Sequence, residues 1–154
     1  MHLEQTDMPK LNELLSITLA ITNKCNLQCI WCFETASKYS TKHLARDKIN
    51  ALIDEASSFP SLKTITFTGG EPLLHPDIRS LVEYVLSKNK MTLHITTNGL
   101  LLSEEIIQFI KCKNITLGIS LDGTEKLNDD IRGSGAFAKT IKSIKECVKN
   151  NIAV

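Results

Sequence analysis

The chain has 154 residues, 42% hydrophobic and 23% charged, with a formal net charge of +1, enough for one domain with a real core and without the basic excess that would mark a nucleic-acid partner. Met1 to Lys10 is polar, with Glu4, Asp7 and Pro9, which excludes a signal peptide there, and no apolar run approaches the roughly 20 residues that cross a membrane. Five cysteines, three of them clustered, do not read as a secreted disulfide framework, so a reducing compartment, most simply the cytoplasm, is expected.

Residues 1–14 form a flank, and 15–154 read as one core. Leu15 to Thr22 alternates: Leu15, Ile17, Leu19 and Ile21 on one face, Ser16, Thr18, Ala20 and Thr22 on the other. That period predicts a strand. It runs straight into Cys25-Asn-Leu-Gln-Cys29-Ile-Trp-Cys32, three cysteines within eight residues. Three thiolates on one short loop admit three readings. They can hold an iron–sulfur cluster with one iron left open, a zinc ion if a fourth Cys or His joins them, or they can be structural residues.

A helix is expected from Leu44 to Ala56, capped at Ser40-Thr41, with Ile49, Leu52, Ile53 and Ala56 inward. A second strand, Lys63 to Thr68, leads into Gly69-Gly70-Glu71-Pro72. Pro76 fits the first turn of a helix whose stripe is Ile78, Leu81, Val82, Val85 and Leu86. The third strand, Met91 to Thr97, ends at Asn98-Gly99, and Ser103 caps a short helix through Ile110. The fourth, Ile115 to Asp122, precedes a last helix from Ala136 to Lys149 that turns Phe137, Ile141, Ile144 and Val148 inward. Asn151 to Val154 begins a fifth strand. Cys112 and Cys147 read as small buried hydrophobes.

Strand alternates with helix four times, the pattern of a parallel sheet with right-handed crossovers. Each strand has one aliphatic face and one face of Thr, Ser, Gly or His, whereas a sheet covered on both sides reads as continuous apolar runs. The fold class is therefore α/β, a partial (β/α) barrel with helices on the outer face only and a polar lumen. A full eight-fold barrel takes about 250 residues. The cysteine loop, GGEP and TNG follow the first three strands and SLDG finishes the fourth, all on the rim where parallel α/β folds bind ligands. Singly, each of these turns could be structural; it is their shared rim that points to a site.

Cys25-x-x-x-Cys29-x-x-Cys32 together with Gly69-Gly70-Glu71-Pro72 resembles the radical SAM superfamily. Thr97-Asn98-Gly99, Ser120-Leu-Asp122-Gly123 and Ile131-Arg132-Gly133 are similar to its peptide-modifying (SPASM-type) maturases, a pattern shared with its molybdenum-cofactor cyclases. The resemblance implies that Cys25, Cys29 and Cys32 hold a 4Fe–4S cluster whose open iron binds S-adenosylmethionine. Reductive cleavage would then give a 5′-deoxyadenosyl radical that abstracts hydrogen from a peptide or small molecule. It implies a flavodoxin or ferredoxin as electron donor. Glu71 would accept from the methionine amino group, with the backbone of Gly69 and Gly70 beside it, and Trp31 would sit by the adenine. Thr97, Asn98, Ser120 and Asp122 would contact the cofactor. Arg132 reads either as a partner for a carboxylate or as an exposed arginine, and His94 as a hydrogen-bonded lining residue. The family barrel has six strands, and here the fifth only begins. The expectation is a truncated core that holds the cluster and part of the SAM site, has little catalysis alone and can pair through its open sheet edge.

Overall fold

In the computed structural model, which describes residues 14–88 and 91–154, four strands lie in the order β1-β2-β3-β4, all parallel. The strands are β1 (Ser16–Thr22), β2 (Thr64–Gly69), β3 (Thr92–Thr97) and β4 (Ile115–Ile119). The helices are α1 (Arg46–Ser57), α2 (Ile78–Ser87), α3 (Glu104–Ile110), α4 (Glu125–Arg132) and α5 (Ala136–Lys149), with a 3-10 turn at Pro72–Leu74. The flank expected at 1–14 lies outside the described residues except for residue 14.

Register explains the two faces. Ile17, Ile65, Leu93 and Ile115 align in one row across the sheet, and Leu19, Phe67, Ile95 and Leu117 in another. These rows pack under the helices as the core, with Ile65, Phe67 and Leu93 wholly buried. The rows between them are polar: Thr18, Thr66, His94 and Thr116 stand side by side. A slip of one residue would exchange the faces, so burial of the aliphatic rows fixes the register. Ala153 bridges to Thr116 in parallel, and its carbonyl accepts from Leu117 N at 2.9 Å, the start of the fifth strand. The architecture is the partial (β/α) barrel expected.

Several local expectations are corrected. α1 begins at Arg46 behind Ala45 rather than at Ser40-Thr41. The Ser40 hydroxyl instead accepts from Lys42 N within the loop, and the 42–44 segment pairs back onto the end of β1. Leu52 faces outward at 42% exposure. Pro76 precedes α2, because the His75 ring accepts from Asp77 N and holds the chain in a turn there. β4 ends at Ile119, three residues early. α5 is rotated: Ala136, Thr140 and Cys147 face the interior, while Val148 is 58% exposed. The Thr140 and Ser143 hydroxyls reach the carbonyls of Asn98 and Gly99, which sets that rotation. Cys112 is exposed rather than buried.

α4 was not anticipated. It is polar around most of its circumference, with only Asn128 buried, so it shows no apolar stripe. The Thr124 hydroxyl caps it by accepting from Leu127 N. Among the described residues no helix is long and apolar enough to cross a membrane.

Candidate functional site

A cavity of about 380 Å³ opens at the carboxyl ends of the strands. Cys25, Cys29 and Cys32 line it together with Trp31, Gly69, Gly70, Thr97, Asn98, Ser120, Asp122 and Arg132. Four loops that are remote in sequence therefore share one wall. A second groove, about 670 Å³, lies between α3 and α5 and holds none of these residues.

The cysteine loop is fastened at both ends. Cys25 N donates to Ser37 O at 3.2 Å, and Ser37 N to Asn23 O at 3.1 Å. Ile30 N donates to Ile131 O at 3.1 Å, which docks the loop on the end of α4. Cys25 is buried, and Cys29 and Cys32 are half-buried. All three are free thiols. Cys25 Sγ accepts from Leu27 N, and Cys32 Sγ from Ala36 N. Burial pushes the Cys25 and Cys29 thiols above the ordinary range, and the nearby Arg132 guanidinium pulls Cys29 partly back.

A cluster binds each cysteine to its own iron, so thiols around the wall of one cavity fit it.

Two glycines let the second loop lie flat against the first. A Cβ on Gly69 would stand 2.3 Å from Thr22 O, and one on Gly70 2.3 Å from Lys24 O. Gly69 also has φ +127°, a conformation that L side chains rarely adopt. The space gained is used by Gly70 N donating to Thr22 O at 2.7 Å and Glu71 N to Lys24 O at 2.8 Å.

Glu71 does not line the cavity. Its side chain is fully buried. Oε1 accepts from Thr97 Oγ1 at 2.8 Å and Leu73 N at 3.2 Å, and Oε2 accepts from Asn98 N at 2.9 Å. Three of about four acceptor sites are thus spent inside the protein. Burial, outweighing these bonds, raises its pKa. The carboxylate ties the loop after β2 to the end of β3.

Thr97 and Asn98 reach the cavity wall, yet both are almost wholly buried and committed to protein partners. Trp31 stands at the rim, 77% exposed, and is not a core anchor. Asp122 and Arg132 form a salt bridge on the wall, so Arg132 is neither free nor fully exposed. The buried Asn128 accepts from Asp122 N through Oδ1. This makes α4, invisible as an apolar pattern, the fourth side of the site. His94 hydrogen-bonds Thr116 at 2.8 Å on the polar face, as expected of a lining histidine. Asn26, which meets Asn98, was not singled out from the sequence; a polar residue after a cysteine carries no signal of its own.

The model of the radical SAM superfamily matches residues 19–154. The chain belongs to that superfamily. Among relatives of this radical SAM chain is the Fe-coproporphyrin III synthase of Methanosarcina barkeri, 35% identical over 137 residues that cover 87% of the chain and 34% of the relative. The GTP 3′,8-cyclase of Clostridium perfringens is 30% identical over 150 residues, 92% of the chain and 45% of the cyclase. SuiB of Streptococcus suis, solved with its precursor peptide SuiA, superposes at a TM-score of 0.77 with 23% identity, covering 90% of the chain and 31% of SuiB. SuiB has also been solved bound to S-adenosylmethionine. The radical SAM chain thus spans less than half the length of the curated relatives it matches. Both branches anticipated from the motifs, maturase and cyclase, are represented.

Proposed function

We propose that Cys25, Cys29 and Cys32 hold a 4Fe–4S cluster and that S-adenosylmethionine binds in the adjoining cavity. The observation that carries this reading is the opening of all three thiols onto one cavity with Gly69, Gly70, Ser120 and Asp122. When bound, cluster and cofactor supply reductive cleavage to a 5′-deoxyadenosyl radical that abstracts hydrogen from a substrate.

The chain's own residues bind and shield. Gly69 and Gly70 offer backbone without side chains on the wall nearest the cysteine loop. Ser120 and Asp122 supply polar groups on the opposite strand end, and Arg132 balances the Asp122 charge. Trp31, on the cavity rim, offers an aromatic face to the adenine. Glu71, Thr97 and Asn98 hold these elements in place from within. The substrate is a peptide or small molecule; the peptide reading draws support from SuiB, solved with SuiA. The electron donor is a flavodoxin- or ferredoxin-type carrier, and the reducing cytoplasm suits the free thiols.

Anaerobic reconstitution tests the reading. About four irons per chain and a spectrum that changes on adding S-adenosylmethionine are expected, with iron lost in Cys25→Ala, Cys29→Ala and Cys32→Ala. One colourless zinc, or iron with no response to the cofactor, overturns it.

A further inference from the structure

Every polar atom of the Asn98 side chain is engaged by protein. Leu100 N donates to Oδ1 at 3.0 Å, which fixes the carbonyl end of the amide and turns its NH2 toward the cysteine loop. There Nδ2 donates to Asn26 Oδ1 at 2.7 Å and faces Cys25 Sγ at 3.9 Å. The backbone is held as well: Asn98 N donates to Glu71 Oε2, and Asn98 O accepts from Thr140 Oγ1. The residue is 6% exposed. The Leu100 N bond is that of an Asx turn, but an Asn-Gly turn does not require the bonds to Asn26, Cys25 and Thr140.

We infer that Asn98 is a positioning residue of the cysteine loop, whose amide tethers Asn26 and donates to the Cys25 sulfur, with Glu71 as its buttress. The inference rests on the cluster reading above. Donors directed at a cluster-bound sulfur stabilise the more negative, reduced state and raise its potential. Cys25, the most buried of the three cysteines, receives Leu27 N and this side-chain amide, so its corner is distinguished from the others.

The test is a mediator-poised reductive titration, followed by electron paramagnetic resonance, of reconstituted wild type, Asn98→Ala, Asn98→Asp and Asn26→Ala. The two Asn98 variants should shift to more negative potential, with Asn98→Asp shifting further, and Asn26→Ala should shift less in the same direction. Unchanged potentials in folded, iron-loaded Asn98 variants overturn the inference. A wild-type chain that takes up no iron overturns the cluster reading instead. The contact itself is read in iron-free wild type by nuclear magnetic resonance. The Asn98 side-chain amide protons should exchange slowly and move when Cys25 is replaced by alanine. Exchange at the rate of exposed amides, or no response to Cys25→Ala, overturns the contact even if the Asn98 variants do not fold.

Discussion

The backbone N–H of Asn98 donates to Glu71 Oε2 across 2.9 Å, inside protein that water does not reach. This bond, with that from Thr97 Oγ1, joins the loop after β2 to the end of β3. Both neighbouring elements line the cavity, so the shape of its wall depends on a carboxylate that lies behind it.

Replacing Glu71 by alanine should be costly. It orphans Thr97 Oγ1, Asn98 N and Leu73 N in a buried setting, where each unsatisfied donor costs about 1–3 kcal/mol. The unfolding free energy in urea should fall by at least about 2 kcal/mol, and Glu71→Gln, which keeps one acceptor, should lose less. Burial raises the folded pKa of Glu71, so the folded state holds a proton that the unfolded chain has released. Stability therefore declines as pH rises from the ordinary carboxylate value through the folded pKa. That decline should be absent from a pH series on Glu71→Gln.

Gly70→Ala separates sterics from conformation. Its φ is ordinary, but the new Cβ would lie 2.3 Å from the Lys24 carbonyl oxygen, backbone that cannot swing away. The second loop must lift from the cysteine loop, at the roughly 1–3 kcal/mol typical of overpacking. Reconstituted iron per chain and the thermal midpoint should both drop. Gly69→Ala should be worse, since it adds strain at φ +127°. Wild-type iron content in Gly70→Ala would show that the contact is not needed.

Arg132 bears on Cys29 electrostatically. Its positive charge lowers a thiol pKa that burial has raised. Arg132→Gln should push that pKa further up, reduce the thiolate present at neutral pH and slow alkylation of Cys29 in the iron-free protein. Mass spectrometry of timed iodoacetamide reactions reads the rate. An unchanged or faster rate contradicts the expectation.

Asp129 governs the turn between α4 and α5. Its carboxylate accepts from Phe137 N at 2.8 Å and Gly135 N at 2.6 Å, and these bonds hold its pKa below the ordinary range. The stabilisation is present above the unfolded carboxylate pKa and is lost as pH falls through the folded one. In Asp129→Ala, amide hydrogen exchange at Gly135 and Phe137 should quicken at neutral pH, with the core amides of β3 unaffected. In wild type the same two amides should lose protection on acidification.

Much of the fold was legible because strands that bury one face must alternate. Ile65/Phe67 and Leu93/Ile95 declare their face by sequence spacing alone. α2 and α3 followed from apolar spacing and, for α3, from the Ser103 cap. α4 escaped because it buries one asparagine and no apolar stripe. The rotation of α5 escaped because two hydroxyls bonded to the Asn98–Gly99 turn outweigh the placement of Val148.

Residue type and local spacing set the chemistry available at the strand ends: three thiols on one short loop, two adjacent glycines, a carboxylate beside them and polar residues closing each later strand. Which of those groups meet one another is settled by long-range packing. Glu71 and Asn98 bond to Thr97 and Asn26, which lie 26 and 72 residues away in the chain. A buried polar atom bonds whatever donor or acceptor the fold brings near, and strand register and helix rotation set that neighbour.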